Sequence, residues 1–269
     1  MSDGLHERAA ATDPSVLSPP DFASLLAYAP RPDLLAGRVI AITGGAGGIG
    51  RAVALGAARS GATVIVLDRS RAGLKALQQT LAAESAPAPD VVPMDFTSAS
   101  IADYQQFAQR IDGQYGHLDG LVNNVSLIGA LTPFEHAEPA VWQQVIAANL
   151  VAPFFLTQWC MPLLRRAPDP ALVFSLHRAQ RAFWGAYGMA KAGQEALLHI
   201  LADEYHLAGD APVRVFGIDT GPVATAARRQ HYPAEPPDAH PKPAEVVGPY
   251  LYALGPDARG MTDVVLRRE

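Results

Sequence analysis

The chain has a single cysteine, Cys160, in 269 residues, so no intrachain disulfide can form and a disulfide-stapled secreted scaffold is excluded. Charge is also scarce: 17% of the residues are charged, the net charge is -5, and lysine occurs only at Lys75, Lys191 and Lys242. Binding to nucleic acid depends on neutralising phosphates with Lys and Arg, and a mildly acidic chain has no such footprint. No stretch reads as the ~20 apolar residues of a membrane span, and Met1 to Pro20 has no basic region followed by an apolar run. The expectation is a cytoplasmic protein with neither nucleic-acid nor membrane partners, and with Cys160 as an ordinary packed thiol.

What the chain does have is apolar residues, at 49%, enough to build a sizeable core. Residues 1–36 stand apart: Ser, Asp, Pro and Ala dominate, and Pro19, Pro20, Pro30 and Pro32 break any period. They read as an N-terminal arm, a frayed terminus in which Phe22 to Tyr28 forms at most a turn or two docked on the body or a neighbouring subunit. Residues 37–269 read as one domain. Short apolar runs at Arg38–Thr43, Thr63–Leu67, Val91–Met94, Leu118–Val122, Ala171–Leu176, Val213–Ile218 and Thr262–Leu266 predict strands covered on both faces. Amphipathic stretches at Ile49–Ser60, Ser70–Ser85, Ile101–Tyr115, Ala140–Leu164, Trp184–His206 and Ala244–Leu254 predict helices between them, the fourth long enough to hide a break near Pro153. This alternation is that of an α/β, Rossmann-type, doubly wound parallel sheet of seven strands with helices on both faces. The Pro-rich segment Tyr232–Pro243 is a loop or lid.

The first strand runs into Thr43-Gly44-Gly45-Ala46-Gly47-Gly48-Ile49-Gly50 and then into a helix. Glycines at that turn let backbone approach a pyrophosphate, whose charge the helix N-terminus favours. The residues after Gly50 are Arg51 and Ala52, so the Lys and Ser or Thr of an ATP-type P-loop are missing. Asp68 ends the second strand, where a carboxylate accepts from ribose hydroxyls and repels a 2′-phosphate. NAD is therefore favoured, with NADP possible because Arg69 stands next in line. Tyr187-Gly188-Met189-Ala190-Lys191 places a phenol and an ammonium one helical turn apart. Ser175 closes the fifth strand and Asn149 lies in the preceding long helix.

Together, Thr43-Gly44-x-x-x-Gly48-x-Gly50, Asn123-Asn124, Asn149, Ser175 and Tyr187-x-x-x-Lys191 resemble the short-chain dehydrogenase/reductase family. Arg181 to Tyr187 and Leu201 to Tyr205 resemble its YciK-type bacterial branch. The resemblance runs from about Gly37 to the C-terminus. It implies an NAD(P)-dependent oxidoreductase that interconverts a secondary alcohol and a carbonyl. Tyr187 would be the general acid/base, with Lys191 on the nicotinamide ribose, Ser175 orienting the substrate oxygen and Asn149 supporting a proton relay through water. Asp95 would contact adenine, Thr225 the carboxamide or phosphates, and Asn123 and Gly221 complete the cofactor set. An ammonium ~4 Å from the phenol, at an effective dielectric of ~20, contributes about 4 kcal/mol toward the phenolate before desolvation. Such a family member is expected to be a homodimer or homotetramer, joined through the helices Ala140–Leu164 and Trp184–His206.

The chain departs from the family pattern at three places: Val125 and Ser126 follow the two asparagines, Ala190 precedes Lys191, and Thr220 precedes Gly221. The spacing from Ser175 to Tyr187 is one residue shorter than is commonest. Substrate-pocket candidates are His177, Phe183, Trp184, Leu127 and Ile128, with Arg228 and Arg229 in reach of an acidic group. His231 and His240 flank Asp238 without ligand spacing on a regular element, so no metal site is read. The competing reading is a non-catalytic dinucleotide-binding sensor or assembly protein on the same fold. An isomerase or dehydratase with tightly held NAD fits a single-domain chain less well.

Overall fold

A computed structural model of the chain describes residues 19–84, 86–206 and 212–268; the first 18 residues of the expected arm lie outside them. Seven strands, β1 (Val39–Thr43), β2 (Thr63–Asp68), β3 (Asp90–Pro93), β4 (Gly120–Asn123), β5 (Ala171–Ser175), β6 (Arg214–Asp219) and β7 (Val264–Arg267), form one sheet in the order β3-β2-β1-β4-β5-β6-β7. Every neighbouring pair is parallel. The order reverses between β1 and β4, the place where ligands enter open parallel sheets at the carboxyl ends of the strands.

The helices are α1 (Phe22–Leu26), α2 (Gly48–Arg59), α3 (Arg71–Ala83), α4 (Ile101–Tyr115), α5 (Pro139–Ile146), α6 (Ala152–Leu164), α7 (Gly185–His206), α8 (Ala226–His231) and α9 (Gly248–Leu254). They split the core into two layers. Val53 of α2, Leu77 of α3 and Tyr250 of α9 pack on one face of the sheet, and Phe107 of α4, Leu156 of α6 and Leu198 of α7 on the other. Side chains alternate across a strand. In β5, Ala171 and Val173 therefore meet the α2–α9 layer, whereas Leu172 and Phe174 meet the α6–α7 layer.

The long apolar run Pro139–Leu164 is the one stretch among the described residues with the length and apolarity to cross a membrane, and half of its apolar window is buried inside the protein as a core helix. The expected break near Pro153 is present, just ahead of it. Residues Ala147–Val151 form a π turn, closed by Ala152 N–H donating to the Ala147 carbonyl five residues back. Pro153 has no N–H to offer the Asn149 carbonyl four residues earlier, which leaves that oxygen free for a side chain.

The end of the arm differs from a frayed terminus. Asp21 caps α1 by accepting from Ser24 N–H at 2.7 Å, and Phe22 and Leu25 are buried. Tyr28, two residues past α1, donates to Asp257, three residues past α9, at 2.7 Å, and Phe22 and Leu25 share a core layer with Tyr250 and Leu251 of α9. Helix α8 lies outside the expected helices, being six residues long and too short to show a period; Thr225 caps it by accepting from Arg228 N–H at 3.0 Å. At the opposite end of the sheet Asp169 accepts from both Arg38 and Arg214, a buried cluster that ties β1 to β6.

Candidate active site

The glycine turn after β1 is tight underneath and open outward. A Cβ on Gly50 would stand 2.3 Å from the Gly44 carbonyl oxygen and 2.4 Å from Asn124 Nδ2, and Gly44 and Gly48 have φ of +67° and +53°. Nothing lies within 4 Å of a Cβ on Gly47, and no side chain caps α2 there. Backbone thus borders open space at a helix N-terminus, as a dinucleotide pyrophosphate requires. Ile49 turns inward against the core. Thr43 Oγ1 accepts from Asn124 N–H at 2.9 Å and Val125 N–H at 3.0 Å, and the Val125 side chain packs into the α6–α7 layer instead of filling the glycine turn. Asp68 accepts from Ala46 N–H at 3.0 Å and Ser70 N–H at 2.8 Å, holding the loop while keeping further lone pairs. Arg69 is exposed. Asp95 lies two residues past β3, its carboxyl held below the usual range chiefly by Thr97 N–H. Thr225 stands over the glycine turn, with Cγ2 3.3 Å from a Cβ on Gly48, and Gly221 bends the chain after β6 with φ +62°. These residues fit an NAD(P)-type cofactor.

Asn123 does not join them through its side chain, which points into the α6–α7 layer and donates to Thr157 Oγ1 at 2.9 Å. Its neighbour Asn124 faces the turn instead, donating to the Thr43 carbonyl at 3.0 Å. Strand parity decides between them.

Parity also corrects the placement of Ser175. It continues the Ala171–Val173 face, so its Oγ donates to Asn124 Oδ1 at 3.1 Å and lies 2.9 Å from Tyr250 Oη, on the side of the sheet away from α7. The groups that do reach the Tyr187 hydroxyl are Ser126 Oγ at 3.3 Å and His177 Nδ1 at 3.4 Å. These are long hydrogen bonds, of the kind that tighten when a site is filled. The rings of His177, Trp184 and Tyr187 pack edge-on or tilted, and Trp184 is buried beneath the Arg181 guanidinium.

Lys191 lies one turn beyond Tyr187 and is buried. Its Nζ donates to the Ser175 carbonyl at 2.7 Å and to Gln194 Oε1 at 2.9 Å, and lies 5.8 Å from the centre of the Tyr187 ring. Gln194 in turn donates to the Asn149 carbonyl that Pro153 leaves free. The Asn149 side chain is spent on Leu127 and Val145 backbone. The ammonium does not draw the phenol down as the sequence arithmetic expected. Burial pushes Tyr187 up to about 12, with Asp219 acting in the same direction, and burial pushes Lys191 down to about 7. Desolvation is the largest influence on both groups, and the hydrogen bond from Ser126, which pulls the Tyr187 phenol down, does not offset it.

Arg228 is not a free cation for a substrate anion. Its guanidinium forks onto Glu235, with Nε donating at 2.8 Å, and stacks 3.7 Å from the centre of the Tyr232 ring, which clips α8 to the lid. His231 ties the same element to the Gly129 carbonyl at 3.1 Å. A cavity of about 400 Å³ runs along Tyr187, with an apolar lining that includes Ile128, Val141, Trp142, Val145 and Trp184. Among the described residues no His, Cys, Asp and Glu cluster has the makings of a metal site.

The profile of the short chain dehydrogenase family matches residues 38–236. The chain is 38% identical over 238 residues to the uncharacterized oxidoreductase YciK of Escherichia coli K12, spanning 87% of this chain and 93% of that one. A short chain dehydrogenase structure from Pseudomonas syringae superposes with a TM-score of 0.85 at 38% identity, covering 89% of this chain and 98% of that one. Another, from Shigella flexneri 2a and complexed with NADP, gives 0.84 at 37% identity over 88% and 99% of the two chains. With the parallel seven-stranded sheet, the glycine turn and the Tyr187–Lys191 helix, these likenesses show that the chain belongs to the short-chain dehydrogenase/reductase family of oxidoreductases.

Proposed function

We propose that this oxidoreductase interconverts a secondary alcohol and a carbonyl with NAD(P), Tyr187 acting as general acid/base. The observation that carries the reading is the Tyr187 hydroxyl, which faces two polar groups, Ser126 and His177, at the carboxyl edge of the sheet beside the glycine turn. When bound, the nicotinamide supplies or takes the hydride. The chain's own residues do the rest. Tyr187 moves the proton at its Oη, and Ser126 Oγ holds the same oxygen by hydrogen bonding. As an ammonium, Lys191 has three donors, of which two are used by Ser175 and Gln194, leaving one for the nicotinamide ribose. Cofactor phosphates would lie on the glycine turn under Thr225 and Gly221, and adenine beside Asp95.

Asp68 supports NAD, since its charge opposes a 2′-phosphate; exposed Arg69 and the NADP held by the Shigella flexneri relative support NADP. The apolar cavity along Tyr187 suits a substrate with a hydrophobic body. A second copy of the chain would cover the α6–α7 surface, where Val151, Phe154 and Ile200 are exposed, giving a cytoplasmic homodimer or homotetramer.

The test is a paired titration with NADH and NADPH by nicotinamide fluorescence, followed by a carbonyl panel with the tighter cofactor. Tyr187→Phe is expected to keep cofactor Kd within a few-fold and to abolish turnover. Unchanged turnover in that variant would remove the acid/base assignment, and binding of neither cofactor would return the chain to the non-catalytic reading.

A further inference from the structure

Carbonyl reduction consumes one hydride and one proton, and after each turnover the phenolate of Tyr187 has to recover a proton from solvent. The residues on the Lys191 side of Tyr187 do not offer that route. Lys191 Nζ is held by the Ser175 carbonyl and Gln194 Oε1, and the other end of the same Gln194 carboxamide is fixed on the Asn149 carbonyl. Gln194 is fully buried, and a carboxamide neither takes up nor releases a proton near neutral pH. It fills the gap between Lys191 and Asn149, where the sequence reading expected a water. On the other side of Tyr187 stands His177, partly exposed, with Nδ1 3.4 Å from the hydroxyl and its ring packed against both Trp184 and Tyr187. Imidazole is the side chain suited to proton exchange near neutrality.

We propose that His177 is the group through which Tyr187 exchanges its proton with solvent, the Gln194 carboxamide having closed the path through Lys191. The inference rests on the reading of Tyr187 as the acid/base. In the reductive direction the Tyr187 O–H bond breaks as an O–H bond forms on the substrate oxygen. The imidazolium then gives its Nδ1 proton to the phenolate, and the neutral ring is reprotonated from water. In the oxidative direction the same proton travels outward. The charges facing His177 are Asp219 at the end of β6, Lys191 on α7, Arg181 in the loop before α7 and Arg228 on α8. Burial and the three cations favour the neutral ring, while Asp219 favours the imidazolium.

The experiment compares wild type, His177→Ala and Tyr187→Phe in weak buffer, with 9,10-phenanthrenequinone as the carbonyl probe and with imidazole added in steps. His177→Ala is expected to lose at least tenfold in kcat, to keep its cofactor Kd, and to regain several-fold as imidazole rises, while wild type ignores the imidazole. Wild-type turnover in His177→Ala, or a loss that imidazole leaves untouched, would overturn the proposal. If Tyr187→Phe is silent while His177→Ala is fully active, the proposal alone fails; if Tyr187→Phe is also active, or wild type turns nothing over, the acid/base reading fails and takes the proposal with it. A readout independent of turnover is the ring ¹⁵N signal of His177. It is expected to move in Tyr187→Phe, and a stationary signal would separate the two residues and sink the relay.

Discussion

Ser175 Oγ and Tyr250 Oη lie 2.9 Å apart across the boundary between β5 and α9, on the face of the sheet opposite to Tyr187. Tyr250 is fully buried, and Ser175 is the hydrogen-bond partner of its hydroxyl. Ser175 is thus part of the scaffold. Burial drives the Tyr250 phenol well above its ordinary range, so it stays neutral and hydrogen-bonded.

Ser175→Ala is accordingly expected to act on stability. It strands the Tyr250 hydroxyl and frees Asn124 Oδ1, a loss of about 1–3 kcal/mol for a buried polar group left without a partner. Denaturant unfolding should show that loss, while kcat on a working carbonyl stays within about threefold of wild type. A kcat collapse at unchanged stability would return Ser175 to the chemistry.

The pH dependence of folding should carry the mark of Lys191. Burial holds its folded pKa at about 7, below the ordinary lysine value, so between pH 7 and about 10 the unfolded chain binds a proton that the folded chain does not. Stability then rises with pH across that window, by at most about 1.4 kcal/mol per unit from this one group, and the benefit is lost as pH falls through 7. Tyr187 works at the other end. Its folded pKa of about 12 exceeds that of the unfolded chain, so stability falls as pH rises above 10. Urea midpoints of the protein without cofactor, compared with Lys191→Met, provide the check: the variant should lose the rise between pH 7 and 9, and an identical slope in both would mean that Lys191 stays charged in the folded protein.

The architecture was legible because strands buried on both faces must be apolar throughout, and each expected strand lies within two residues of an observed one. The glycine turn, Asp68 and the Tyr187–Lys191 helix were legible because their spacing is local. What misled was facing. Ser175 is the last residue of β5 and alternation along the strand turns it to the α9 face, whereas His177 lies two residues past the strand and reaches Tyr187 from the loop, where strand alternation no longer sets the facing. The short Ser175–Tyr187 spacing was the available signal that the loop between them departs from the usual one. The turn-facing place expected of Asn123 falls instead to Asn124, because alternation along β4 points Asn123 into the α6–α7 layer. Gln194 left no motif at all. Its partner, the Asn149 carbonyl, is freed by Pro153, and that pairing spans two helices brought together only in the folded chain. Arg228 could not be assigned from sequence because its partner Glu235 sits across the lid turn.

The choice between NAD and NADP turns on separating two jobs of Asp68. Its oxygens fasten the glycine loop through Ala46 and Ser70 N–H, and its charge stands beside Arg69, where a 2′-phosphate would compete. Asp68→Asn keeps an acceptor for the loop and removes the charge; Asp68→Ala removes both. If the charge sets the preference, both variants should move the ratio of NADPH to NADH affinity toward NADPH by about tenfold, or 1.4 kcal/mol. Asp68→Ala should weaken NADH more than Asp68→Asn, because it removes both loop acceptors where asparagine keeps one of the two. Fluorescence titration of the three proteins with both cofactors distinguishes these effects. A ratio unchanged in Asp68→Asn would leave the decision to Arg69 or to the backbone of the turn, because the carboxylate charge would then have been removed without moving the preference.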